Sequence, residues 1–150
     1  VANQAHNRQG FYPKNPDAKI THLPIAASQT LNKGDAVILS SGLVAIALAD
    51  SAVLAGVVAQ DASGKSAGDL VACWIDPDEV FIGVADADSS SLTAGSEPDI
   101  IGATSAMMID ADASAIYPIK LLKVEGGDAA ATARCRWSFK INKHAFAQID

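Results

Sequence analysis

Apolar residues fall in short runs, set apart by Gly, Ser and Asp at nearly even intervals. In residues 31–82 the runs are Ala36-Val37-Ile38-Leu39, Leu43-Val44-Ala45-Ile46-Ala47, Leu54-Ala55-Gly56-Val57-Val58-Ala59 and Leu70-Val71-Ala72-Cys73-Trp74-Ile75. Lys33-Gly34-Asp35, Ser40-Ser41-Gly42, Asp50-Ser51 and Ala67-Gly68-Asp69 break them. Runs of this length without helical period predict an all-β domain, either a small β-barrel or a β-sandwich. Gly-Asp opens a strand twice, at Gly34-Asp35 and Gly68-Asp69. Glycine accepts positive φ and aspartate bonds nearby amides, so both read as turn devices.

Both rows of residues 70–75 are apolar, which predicts an inner strand covered on two faces. After the acidic loop Asp76-Pro77-Asp78-Glu79, residues 80–85 resume as a strand, and the short loop predicts a hairpin with 70–75. Residues 20–25 suit an edge strand, because Pro24 has no ladder donor. Residues 86–99 hold three consecutive serines, Gly95 and Pro98 and read as a surface excursion. Ile100-Ile101 and Met107-Met108-Ile109 fit a short strand or a helical turn, and 117–124 a further strand.

The last strand alternates most clearly, with Ala133, Cys135, Trp137, Phe139 and Ile141 in one row and Arg134, Arg136, Ser138 and Lys140 in the other. The first row, with Trp74, predicts core. The second sets three cations side by side. Either it is a solvated face that keeps an edge from aggregating, or Arg134, Arg136 and Lys140 meet an acidic partner.

Residues 1–19 lack any period and carry two prolines, so they read as an extended N-terminal arm ahead of a single β-rich domain over 20–150. The arm is either a frayed terminus or a tether that orders against a neighbour, with Arg8, Phe11, Tyr12 and Lys14 as its contacts.

Composition narrows the classes. A chain of 150 residues fits one domain that buries roughly 68–70% of its unfolded surface, so it needs no disulfide staples. Cys73 and Cys135 lie in apolar runs and are expected as buried free thiols. Hydrophobic residues make up 49% and charged residues 19%, a lightly charged surface that fits self-association. The net charge of -6 argues against a nucleic-acid binder, which needs a cationic footprint. The apolar stretch 43–59 is interrupted by Asp50 and Ser51 and is too short to span a bilayer. Residues 1–19 contain no apolar leader core, and a soluble protein made in the cytoplasm is expected.

Motifs for chemistry are weak. Gly64-Lys65-Ser66 lacks the earlier glycine and the following helix of a phosphate loop. His6, His22 and His144 are scattered. The carboxylate pairs Asp76/Asp78, Asp86/Asp88 and Asp110/Asp112 do not continue into a calcium loop and read as solvated turns. No catalytic residue, cofactor or metal is expected.

The segment LNKGDAVILSSGLVAIALADSAVLAGVVAQDASGKSAGDLVACWIDPDEVFIGVA resembles the core of tailed-bacteriophage capsid decoration, or cement, proteins, and the ending RCRWSFKINKHAF is similar to endings of phage head proteins. The resemblance covers residues 31–85 and, more loosely, 116–146. It implies a β-tulip-like subunit without catalytic residues, often a homotrimer, on the outer surface of a virion. Such a subunit binds the major capsid protein and head-stabilises the shell by bridging capsomers. Two other classes stay open: a free-standing β-barrel that binds a small ligand, and a small hydrolase using Asp76, Asp78 and Glu79.

Overall fold

A computed structural model describes residues 10–87, 89–126 and 135–146. Those residues form strands and turns with no helix, as the short apolar runs predict. The strands are β1 (Tyr12–Pro13), β2 (Thr21–Pro24), β3 (Ala36–Ser40), β4 (Leu43–Ile46), β5 (Gly56–Val58), β6 (Leu70–Trp74), β7 (Phe81–Val84), β8 (Ile100–Ile101), β9 (Met108–Ile109), β10 (Ile119–Gly126) and β11 (Arg136–Ile141). They make a four-stranded sheet in the order β1-β7-β11-β10, a five-stranded sheet in the order β2-β6-β5-β3-β4, and the β8-β9 pair. All ladders are antiparallel.

The two larger sheets pack as a small β-sandwich. Between them lie Ala36, Val57, Ala72 and Trp74 from the five-stranded sheet and Phe81, Ile119, Leu121, Trp137 and Phe139 from the four-stranded one. The opposite face of the five-stranded sheet holds a second core of Val37, Val44, Val58, Val71 and Cys73, covered by Ile25, Leu31 and Ala62. That sheet curls until its edges touch. Ile25 bridges Val44, and Ala26 N–H donates to Val44 C=O at 2.9 Å. A single bridge does not close a barrel ladder, so the sandwich is the architecture present. Strand β6 is inner, as expected, and buried on both faces apart from Leu70.

The two Gly-Asp motifs fold alike. Asp35 N–H donates to Asn32 C=O at 3.0 Å, and Asn32 N–H donates back to Asp35 Oδ2 at 2.9 Å. Ser66 and Asp69 repeat both bonds, at 3.0 and 2.9 Å. Gly34 and Gly68 hold φ of 99° and 92°, which a side chain would strain. Each turn then docks on the backbone of one distant residue: Gly34 N–H to Val58 C=O and Val58 N–H to Asp35 C=O, Gly68 N–H to Ile25 C=O and Ile25 N–H to Asp69 C=O. Thr93-Ala94-Gly95-Ser96 does the same with a serine hydroxyl, docking on Leu121. One turn chemistry thus seats three loops, and the third covers the free edge of β10. Gln29 Oε1 accepts Ile46 N–H at 2.9 Å on the β4 edge. Covered edges limit strand addition.

Two expectations are corrected. Strand β7 does not pair with β6. Both edges of β6 are taken, by β2 and β5, so the 76–79 loop crosses to the other sheet, where β7 lies between β1 and β11. Nor does the domain begin after residue 19. Gly10 N–H donates to Met107 C=O, Phe11 is buried in the core, and β1 pairs with β7. The arm expected over 1–19 is part of the sandwich from residue 10 onward, because Phe11 packs over Gly83 and against Phe139. Residues 1–9 lie outside the described chain. Ile100-Ile101 and Met108-Ile109, left open between strand and turn, are strands paired with each other.

Candidate interaction surface

Alternation along β11 points Trp137, Phe139 and Ile141 inward and leaves Arg136, Ser138 and Lys140 on the outer face of the four-stranded sheet. Cross-strand partners share a face. One rung, Tyr12, Ile82, Ser138 and Lys123, therefore runs across all four strands. A second rung sets Lys140 opposite Lys120. The outer face gathers Lys14, Lys120, Lys123, Arg136 and Lys140 on a chain of net charge -6.

The register of β10 explains why this set was only partly legible. Plain alternation from Leu121 would turn Lys123 inward. A bulge at Leu122 shifts the register between Leu121 and Lys123, and another falls at Glu125. An inserted residue flips everything after it to the opposite face, so Lys123 joins Lys120 outside. Lys123 and Glu125 were missed in the sequence for that reason, and Lys120 because its place opposite Lys140 depends on the β10-β11 pairing.

Several of the expected contact residues are engaged within the chain. Arg136 Nη1 donates to Tyr12 Oη at 2.5 Å, which joins the first and last strands. Lys14 Nζ meets Glu125 Oε2 at 2.8 Å. Burial alone would push Glu125 up. Hydrogen bonds from Lys14 and Ser138, with the charges of Lys14 and Lys123, outweigh it and hold the carboxyl below its ordinary range. The Glu125 hydrogen bond in turn raises Lys14. Phe11, expected to anchor on a neighbour, is instead 2% exposed and packed in the core. Arg8 and Arg134 lie outside the described residues.

Lys120 and Lys140 differ from these. Like charges set directly opposite repel, and the only ion pair among the described residues is Lys14 with Glu125. Where the β10-β11 ladder ends, Asn142 N–H donates to Pro118 C=O at 2.8 Å. Next to it Tyr117 takes φ of 58° and is 45% exposed. The Asp99 carboxylate, buried to 6% exposure, fixes that turn by accepting N–H bonds from Ala115, Ile116 and Tyr117.

Two of the carboxylate pairs are turn elements. Asp76 Oδ1 accepts Asp78 N–H at 2.9 Å and Asp110 Oδ1 accepts Asp112 N–H at 3.0 Å. Asp86 Oδ1 accepts Ala111 N–H, while Asp88 lies outside the described residues. His22 is exposed in β2 and His144 is buried beside Leu54; His6 is not described. Among the described residues no three His, Cys, Asp or Glu side chains cluster as metal ligands. Cys73 and Cys135 are thiols buried in different cores, not joined as a disulfide, and burial pushes the Cys73 thiol up to about 12. The groove between residues 28–30, 46–49 and 102–104 is lined by hydroxyl, amide and apolar groups with no titratable side chain.

Comparison with family models, with curated proteins and with solved structures finds no match to this chain.

Proposed function

We propose that the chain is a structural capsid decoration protein, which binds the outer surface of an assembled bacteriophage shell and stabilises it by bridging capsomers. The resemblance of residues 31–85 is the source of this reading. The observation that carries it in three dimensions is the division of labour among charges. Described carboxylates such as Asp35, Asp69, Asp76 and Asp99 serve the chain's own turns, while Lys14, Lys120, Lys123, Arg136 and Lys140 share one sheet face. A rigid body with one charged face suits a docking subunit better than a catalyst.

The mechanism is linkage. A subunit that binds the assembled shell and not its separated parts shifts the equilibrium toward the shell by mass action. Many identical weak contacts then add through multivalency when each copy touches more than one capsomer.

The test uses heads of the phage whose major capsid gene neighbours the gene for this chain, prepared without it. Recombinant chain should co-sediment with expanded heads to saturation, at a copy number matching the local symmetry axes, and should raise the temperature at which they rupture. Heads that neither take up the chain nor gain heat resistance overturn the proposal.

A further inference from the structure

We propose that Tyr117, Lys120 and Lys140 form the contact centre for a carboxylate-rich protein surface. Tyr117 is the anchor, and the opposed lysines recognise the acids. The inference takes the proposed function only for the partner's identity; the chemistry follows from the chain itself.

The backbone at Tyr117 is the first argument. A φ of 58° is the left-handed region, where a bulky side chain is a genuine outlier and glycine or asparagine is at ease. The conformation persists because its surroundings over-determine it. Asp99 Oδ1 accepts Ile116 N–H at 3.0 Å and Tyr117 N–H at 3.3 Å. Asn142 Nδ2 donates to Tyr117 C=O at 3.1 Å and to Glu97 Oε2 at 2.7 Å. Yet the tyrosine so held is 45% exposed and belongs to neither apolar core. Backbone strain maintained to present an aromatic to solvent marks a binding position, and tyrosine is among the residues that dominate interface energetics.

Charge supplies the second argument. The same ladder sets Lys120 opposite Lys140, a repulsive pair with no carboxylate at ion-pair distance among the described residues. An acidic surface docked there relieves the repulsion and pairs both ammonium groups. Lys143 follows close by in the sequence, exposed. A nucleic-acid backbone fits less well, because a long polyanion needs an extended cationic footprint and runs on into the field of a chain of net charge -6. A compact group of side-chain carboxylates needs only the two facing lysines.

The experiment needs no capsid. Isotope-labelled full chain is titrated with a short oligo-glutamate peptide, and separately with oligothymidylate of equal charge, at low and high salt. Amide shifts are expected at residues 117–120 and 139–143, weakening with salt, with oligo-glutamate the tighter ligand. Lys120→Glu with Lys140→Glu should weaken binding at least about tenfold, while Lys33→Glu with Lys65→Glu leaves it in place. Tyr117→Gly should raise the melting temperature by relieving the strain and still weaken binding, and Tyr117→Asn should do the same. Shifts centred elsewhere, tighter binding of oligothymidylate, or wild-type binding by the two Tyr117 variants overturns the proposal. If oligo-glutamate binds as described but heads do not take up the chain, the capsid reading fails and this one stands. Uptake by heads with no shift here has the reverse meaning.

Discussion

Phe11 stands edge-on to Phe139, with ring centroids 5.1 Å apart and planes at 79°. Its ring lies over Gly83, where an added Cβ would come within 2.6 Å of Phe11 Cδ1. The T-shaped contact and the bare glycine depend on each other, and together they fasten the start of the described chain to its last strand.

Phe11→Ala should therefore destabilise the domain by about 3–5 kcal/mol, the range for truncating a buried aromatic. Gly83→Ala should cost about 1–3 kcal/mol by overpacking. Deletion of residues 1–19 should lower the melting temperature as Phe11→Ala does, whereas a detachable arm would leave it unchanged. Chemical denaturation of the three variants checks this. A loss under about 1 kcal/mol for Phe11→Ala would place the ring outside the core.

Asp35 and Asp69 make the same turn in different surroundings. Asp35 is fully buried and also accepts Ser105 N–H at 2.9 Å and the Thr104 hydroxyl; Asp69 is exposed. Asp35→Ala strands buried donors and should cost about 2–4 kcal/mol, against about 0.5–1 kcal/mol for Asp69→Ala, where water replaces the carboxylate. Equal losses would show that turn geometry, not burial, sets the value.

His144 is 4% exposed, and its Nδ1 accepts Phe146 N–H at 3.1 Å. Burial pushes its pKa below the ordinary value near 6.5, and the Asp76 charge opposes this only in part. The unfolded chain thus binds the proton first. Stability from the neutral imidazole is complete above about pH 6.5 and is lost as pH falls through the lower folded value. Melting temperature should drop on acidification across that window, and His144→Gln should remove the drop. Glu79, raised by burial and by Asp76, acts in the opposite sense. Parallel profiles for wild type and His144→Gln would show that the proton goes elsewhere.

The β3-β4 hairpin turns on Ser41 and Gly42, with φ of 53° and 81°, between the paired Ser40 and Leu43. Positive φ at both positions is the hairpin turn that Asn-Gly favours. Ser41→Asn should stabilise by up to about 1 kcal/mol, read as a higher melting temperature. No gain would mean that the serine carries no strain.

Local signals in the chain were enough for the strand periods, the glycine turns and the inward row Cys135, Trp137, Phe139 and Ile141. Each depends on neighbours within a few residues, so each can be read along the sequence. The two Gly-Asp turns belong with them, since glycine φ and an aspartate bond to the residue three earlier are local chemistry.

Pairing was decided elsewhere. Residues 76–79 look like a hairpin loop, but whether β7 can pair with β6 depends on whether β2 and β5 already hold its edges, and those strands lie far off in sequence. Phe11 reads, with Tyr12, as an anchor of a polar arm because nothing local reveals the space beside Gly83 and Phe139. Lys123 faces outward only because β10 bulges against β11. The candidate surface follows the same division: Lys140 was visible in its own strand's alternation, while Lys120 beside it and the left-handed Tyr117 depend on register and on the distant Asp99. Strand formation is a local choice; partner, face and strain are settled by long-range packing, which a linear pattern does not carry.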